Sequence, residues 1–135
     1  MDRKIRVLIA DDEVHIRELL KLIVASLGAE VVGEAQDGVQ ALSKFAESKP
    51  DLVLLDINMP RLAGNHVLKK IREFSPQTLV VMLTAQDSIE AVQECLDLGA
   101  RNYVLKSNTP ERIIELVKES WSDYEAEIRR GMESR

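Results

Sequence analysis

Two hydrophobic periods alternate along this chain. Unbroken β-rich runs occupy Ile5–Ala10, Glu30–Ala35, Asp51–Leu55, Thr78–Leu83 and Asn102–Leu105. Between them, apolar positions recur every three or four residues, the spacing that lines one face of a helix. Val14, Ile16, Leu19, Leu20, Ile23, Val24 and Leu27 form the first such stripe, and Gly28 closes it with the residue best suited to the left-handed turn after a helix. A second helix is predicted over Val39–Ser48 with Asp37 or Gly38 at its start, a third over Asn65–Phe74 closed by Ser75-Pro76, and a fourth over Ser88–Leu98 closed by Gly99. The fifth begins where Thr109 can cap and Pro110 suits the first helical position.

Strands that read as continuous apolar runs are buried on both faces. The pattern therefore predicts an α/β fold, a doubly wound five-stranded parallel sheet with helices on either side. Ligands of such sheets bind in the crevice outside the carboxyl ends of the strands, so chemistry is sought where each run stops. Asp11 and Asp12 follow the first run, Asp56 the third, Thr84 the fourth and Lys106 the fifth. A single aspartate at a strand end often does no more than cap the next helix, but these residues converge on one edge. Three carboxylates there would raise one another's pKa unless a cation sat among them. Oxygen ligands without Cys or His select a hard divalent ion, Mg2+ first, with Mn2+ as the other candidate. With the Lys106 ammonium and the Thr84 hydroxyl beside it, Asp56 can serve as nucleophile towards a phosphoryl group.

Composition narrows the class. A chain of 135 residues, 45% apolar and 30% charged, suits one domain with one core. No apolar stretch approaches the ~20 residues of a membrane span, and the first residues are charged, so the expected location is cytoplasmic. A net charge of −5 argues against a broad nucleic-acid face, and the cluster of Lys69, Lys70 and Arg72 reads as a solvated helix face. Cys95, the sole cysteine, leaves no internal disulfide; it falls at helical spacing with Ala91 and Val92, as a small buried hydrophobe would.

Taken together, the strand-end residues resemble those of the receiver domains of two-component response regulators. The resemblance runs from Ile5 to about Lys118 and rests on Asp11-Asp12, on Asp56-Ile57-Asn58-Met59-Pro60 followed by Gly64, on Thr84-Ala85, and on Lys106 with Tyr103 three residues before it. It implies a flavodoxin-like sheet in the order 2-1-3-4-5 and a signalling switch instead of an enzyme acting on other molecules. Asp56 would accept a phosphoryl group from a histidine kinase or phosphotransfer protein, and the changed surface would act on a downstream effector or output domain. Carried over by position, Asp12, Asp56 and the backbone carbonyl of Asn58 would hold Mg2+, with Asp11 helping through water. Lys106 would pair with the acceptor carboxylate and then with the phosphoryl group. Thr84 and Tyr103 would be the switch residues, and Asn58 and Gln86 would tune how long the phosphate lasts.

The sequence departs from the family at Ser107, where proline after a cis bond is usual. A cis bond before a non-proline residue costs ~3 kcal/mol, so the expectation is either a trans Lys106–Ser107 bond with a shifted loop or a strained cis bond held by the site. Ala63, Asn65 and His66 also depart from the family pattern beside the site; His66 and His15 read as surface residues. Towards the carboxyl end, Ile114, Val117, Trp121, Tyr124 and Ile128 form a heptad-like seam that Gly131 ends. Residues 1–121 are expected to form the receiver domain and 122–135 an extension of its last helix. Either the seam meets a partner helix, from a second copy or an output domain, or its first half packs on the sheet and the rest frays.

Rival classes fit less well. A haloacid-dehalogenase-like phosphatase would carry its nucleophile after the first strand, and a flavodoxin-like carrier would need a phosphate-binding loop where Asp11-Asp12-Glu13 stands. A degenerate receiver acting only as a protein-interaction module is the remaining alternative, and the intact acidic pair with Asp56, Thr84 and Lys106 counts against it.

Overall fold

The apolar runs are the strands. In a computed structural model, which describes residues 4–85 and 89–133, β1 (Arg6–Ala10), β2 (Glu30–Ala35), β3 (Leu52–Asp56), β4 (Leu79–Thr84) and β5 (Asn102–Leu105) alternate with α1 (Val14–Ser26), α2 (Gly38–Ser48), α3 (Gly64–Phe74), α4 (Ile89–Asp97) and α5 (Pro110–Glu133). All the pairings are parallel, in the predicted order β2-β1-β3-β4-β5. Every residue of β3 and β4 is buried, as their unbroken apolar runs require.

Alternation of side chains along each strand divides the core in two. Val7, Ile9, Leu54 and Val81 meet Leu20 and Ile23 of α1 and Ile113 and Val117 of α5. Leu8, Val53, Leu55 and Met82 face the other way, against Phe45 of α2, Leu68 and Ile71 of α3 and Cys95 of α4. Burial pushes the Cys95 thiol up to about 11, so it packs as an unreactive hydrophobe.

Local chemistry sets most of the helix ends. Asp37 Oδ1 accepts the Gln40 N–H at 2.8 Å, and Thr109 Oγ1 accepts that of Arg112 at 3.2 Å. Gly28 and Gly99 follow α1 and α4 in the left-handed region, at φ of 76° and 104°. Arg72, expected on a solvated face, is instead half-buried, and its Nη1 donates to the Thr78 carbonyl at 2.8 Å. The Lys106–Ser107 bond is trans, as are all peptide bonds among the described residues. The turn after it is closed by a 3.0 Å bond from the Asn108 N–H to the Leu105 carbonyl.

Helix α5 continues without a break past Gly131 to Glu133. Its seam is used within the chain. Val117 is in the core, and Trp121 and Tyr124 pack against it with ring centroids 5.6 Å apart. The Tyr124 hydroxyl donates to the Gln77 carbonyl, and Arg101, just before β5, binds Glu127 through an Nη1–Oε1 bond of 2.8 Å. The helix is thus tied to its own domain as far as Glu127, while Ile128, the last residue of the seam, stays exposed. Because Trp121 is only half-buried, Trp121→Ala should cost about 1–2 kcal/mol, below the usual price of a core aromatic. Urea unfolding should show this as a lower midpoint, whereas Glu127→Ala, at an exposed pair, should shift the midpoint much less.

Candidate functional site

Strand register gathers the sequence-predicted residues. Ala10 pairs with Leu55, Asp56 with Leu83 and Thr84 with Leu105. The carboxyl edge of the sheet therefore gathers Asp56 and Thr84 at the ends of β3 and β4 with Asp11 and Lys106 just after β1 and β5. Asp56 and Thr84 are the last residues of their strands, which run one residue further than the apolar runs suggested. The Lys106 N–H reaches back to the Thr84 carbonyl at 2.8 Å. Asp11, Asp56 and Thr84 are buried, while Asp12 and Asn58 are exposed at the rim. Tyr103 lies in β5 with its side chain open to solvent, and His15 and His66 are exposed as expected. Gln86 lies outside the described residues.

At the centre stands an ammonium among carboxylates. Lys106 Nζ donates to Glu13 Oε1 at 2.8 Å and to Asp56 Oδ2 at 3.0 Å. It also lies 2.8 Å from Asp11 Oδ2, a close ion pair that lacks hydrogen-bond alignment. Asp11 Oδ2 is thus a buried oxygen with no hydrogen-bond partner among the described residues. The other oxygens are held by the backbone: Asp11 Oδ1 accepts the Glu13 N–H at 2.8 Å, and Asp56 Oδ1 accepts the Asn58 N–H at 3.2 Å.

These surroundings set the charges. Burial, reinforced by the nearby Asp11 charge, pushes the Asp56 carboxyl up to about 7 against the opposing pull of Lys106 and the Asn58 N–H. Burial raises Asp11 as well, despite its contact with Lys106. For Lys106 burial works towards a lower pKa, but its contacts with Asp11, Glu13 and Asp56 together outweigh that and raise it. The Lys106 hydrogen bond holds Glu13 below the usual carboxylate range. Glu13 is the one participant that reading the sequence left without a role, although a third consecutive acid after β1 was its signal.

One ammonium does not balance this many acids. Asp11, Asp12 and Asp56 each offer a carboxylate oxygen, and these lie within 4.8 Å of one another. Together with the unsatisfied Asp11 Oδ2, this all-oxygen set fits a hard cation. The loop after Asp56 is tied down on both sides. The Gly64 N–H donates to the Ile57 carbonyl at 2.7 Å, and the Gly38 N–H to that of Pro60 at 3.3 Å. Arg61, at a φ of 69°, lies 3.7 Å from Asp37.

Comparison with known families agrees with this arrangement: the model of the response regulator receiver domain matches residues 7–118. The chain belongs to the receiver domain family. This receiver is 37% identical over 110 residues to the chemotaxis protein CheY of Thermotoga maritima, a match covering 82% of this chain and 92% of that protein. Among solved structures it is similar to the CheY-like receiver domain protein of Methanospirillum hungatei JF-1, with a TM-score of 0.85, 30% identity, and coverage of 93% and 99% of the two chains. It is also similar to a chain of the CheX-CheY-BeF3-Mg+2 complex from Borrelia burgdorferi, with a TM-score of 0.82, 31% identity, and coverage of 87% and 89%. Receiver domains are the signalling switches of two-component systems. No helix among the described residues of this receiver is long and apolar enough to cross a membrane.

Proposed function

We propose that this receiver is a cytoplasmic, phosphorylation-activated switch that takes a phosphoryl group on Asp56 from a histidine kinase or phosphotransfer protein. The observation that carries this reading is the buried Asp56 carboxylate, bonded to Lys106 and clustered with Asp11 and Asp12. Attack on phosphorus needs Asp56 ionised, which its carboxyl near 7 resists. Asp12, Asp56 and the backbone carbonyl of Asn58 would hold Mg2+, or Mn2+, with Asp11 assisting through water. The ion, when bound, supplies the positive charge that keeps the carboxylates ionised and offsets the charge of the phosphoryl oxygens.

In the transfer, an Asp56 oxygen forms the new O–P bond while the donor's P–N bond breaks, and the leaving imidazole nitrogen keeps the electron pair. Lys106, already donating to Asp56 Oδ2, can turn an N–H to a phosphoryl oxygen. The Thr84 hydroxyl, at the end of the adjacent strand, then moves towards the new group, and Tyr103 turns inward from its exposed position. Two states within a few kcal/mol of each other suffice for one local charge event to shift the surface seen by an effector. Asn58 and Gln86 would govern water access to the phosphate. Residues 122–135 would extend the last helix of the 1–121 domain towards an output domain, a partner or a second copy.

Incubation with Mg2+ and acetyl phosphate, followed by mass spectrometry, tests this. The expected result is a gain of one phosphoryl mass, lost without Mg2+ and in Asp56→Asn. No gain in the wild type would leave a receiver that serves only as a protein-binding module.

A further inference from the structure

Glu13 takes no part in the chemistry proposed above, yet it makes one of the shortest contacts in the site. Its Oε1 accepts the Lys106 Nζ at 2.8 Å, closer than the 3.0 Å of the acceptor Asp56. Glu13 stands at the N-cap of α1 but its side chain caps nothing there, because the carboxylate is turned into the site. Its other contact is His15, with Nε2 at 3.6 Å from Oε2. Of the three carboxylates around Nζ it alone reaches solvent: its side chain is 41% exposed, against 0% for Asp11 and 2% for Asp56.

We infer that Glu13 is the resting counter-ion of Lys106, a positioning residue whose charge opposes the phosphorylated form; this rests on the phosphoryl-acceptor reading of Asp56. Two N–H donors of this ammonium go to Glu13 and Asp56, and the Asp11 oxygen stands 2.8 Å away as a third carboxylate in contact. A phosphoryl group on Asp56 brings new anionic oxygens to the same nitrogen, where they compete with the carboxylates already around it. Asp11 and Asp56 are buried at strand ends, whereas Glu13 can swing into water. If Glu13 leaves, an ion pair is lost; if it stays, a carboxylate faces a phosphoryl dianion. Either way the Glu13 charge favours the resting state.

Beryllofluoride, which mimics aspartyl phosphate, can be titrated at saturating Mg2+ and followed by fluorine NMR. Glu13→Gln and Glu13→Ala should each tighten its binding by about three- to tenfold. Glu13→Asp, which keeps the charge, should stay nearer the wild type. The side-chain nitrogen signal of Lys106 should differ between metal-free wild type and Glu13→Gln, and the difference should shrink once both hold Mg2+ and beryllofluoride. Unchanged or weaker binding in both Glu13→Gln and Glu13→Ala overturns the inference. A wild-type protein that binds no beryllofluoride overturns the phosphoryl-acceptor reading itself, and this inference with it.

Discussion

Asp56→Asn should melt at a higher temperature than the wild type in metal-free buffer near pH 7, while losing phosphoryl uptake entirely. The gain in stability comes from linkage. In the unfolded chain the Asp56 carboxyl ionises at its ordinary value of 3.8, whereas in the fold it keeps its proton up to about 7. Between those values the folded state binds more protons, so stability falls as pH rises through the window, and the deficit is complete above it. An asparagine carries no charge to bury, and its carbonyl can still accept from Lys106. The pull of Lys106 is already contained in that raised value, and since an amide replaces the protonated carboxyl imperfectly, a net of about 1–2 kcal/mol is expected. For a domain of this size that is a rise of about 3–8 °C in melting temperature. Thermal unfolding followed by circular dichroism should show the gap between the two proteins closing as pH is lowered from 7 towards 4. Mg2+ should reverse their order, because an ion at a hundred times its Kd adds ~2.7 kcal/mol to the protein that binds it. A variant that melts lower than the wild type in metal-free buffer at pH 7 would show that the Asp56–Lys106 pair outweighs the burial of the charge.

Gly64→Ala is expected to cost about 2–4 kcal/mol and to slow phosphoryl uptake as well. A Cβ there would stand 2.1 Å from the Asp56 carbonyl oxygen and 2.9 Å from both the Asp56 carbonyl carbon and the Ile57 Cα. All three atoms are backbone, so no rotamer change relieves the contact, and either α3 must back away or the end of β3 must move with Asp56 on it. Urea unfolding measures the first consequence, and the rate of labelling by acetyl phosphate the second. Gly131→Ala is the matched control, since nothing among the described residues lies within 4 Å of a Cβ there. Its effect should stay within about 1 kcal/mol, the helix-propensity difference. Wild-type stability in Gly64→Ala would mean that the start of α3 is not seated against β3.

The architecture was legible because its causes are periodic or local. β3 and β4 read as unbroken apolar runs, and both are buried throughout. Asp37, Thr109, Gly28 and Gly99 marked helix ends through the chemistry of one or two residues. Most of the site could be read for a related reason: a parallel sheet aligns the ends of its strands, so the residues that terminate successive runs are neighbours in space. Interactions that depend on a side chain's direction were not legible. Nothing in the order of residues turns Glu13 from its capping position towards a lysine 93 places away. The seam of α5 was ambiguous because one spacing of apolar residues suits a partner helix and the helix's own sheet equally. Gln77 and Arg101, which hold Tyr124 and Glu127 to the domain, lie in other parts of the chain. Gly64 stood out only as part of the family pattern, with nothing to tell that it touches the backbone of Asp56.

The parallel order has a further consequence for when this protein can respond at all. Asp56 and Lys106 are 50 residues apart in the chain and meet only after β5 has docked on β4 at the edge of the sheet. Parallel neighbours need long crossovers and are joined by contacts of high sequence separation, which form late. On the phosphoryl-acceptor reading proposed above, a chain whose β5 has not docked lacks the Lys106 ammonium beside Asp56 and should not take up the group. Competence to receive a signal would then wait on the last strand of the sheet.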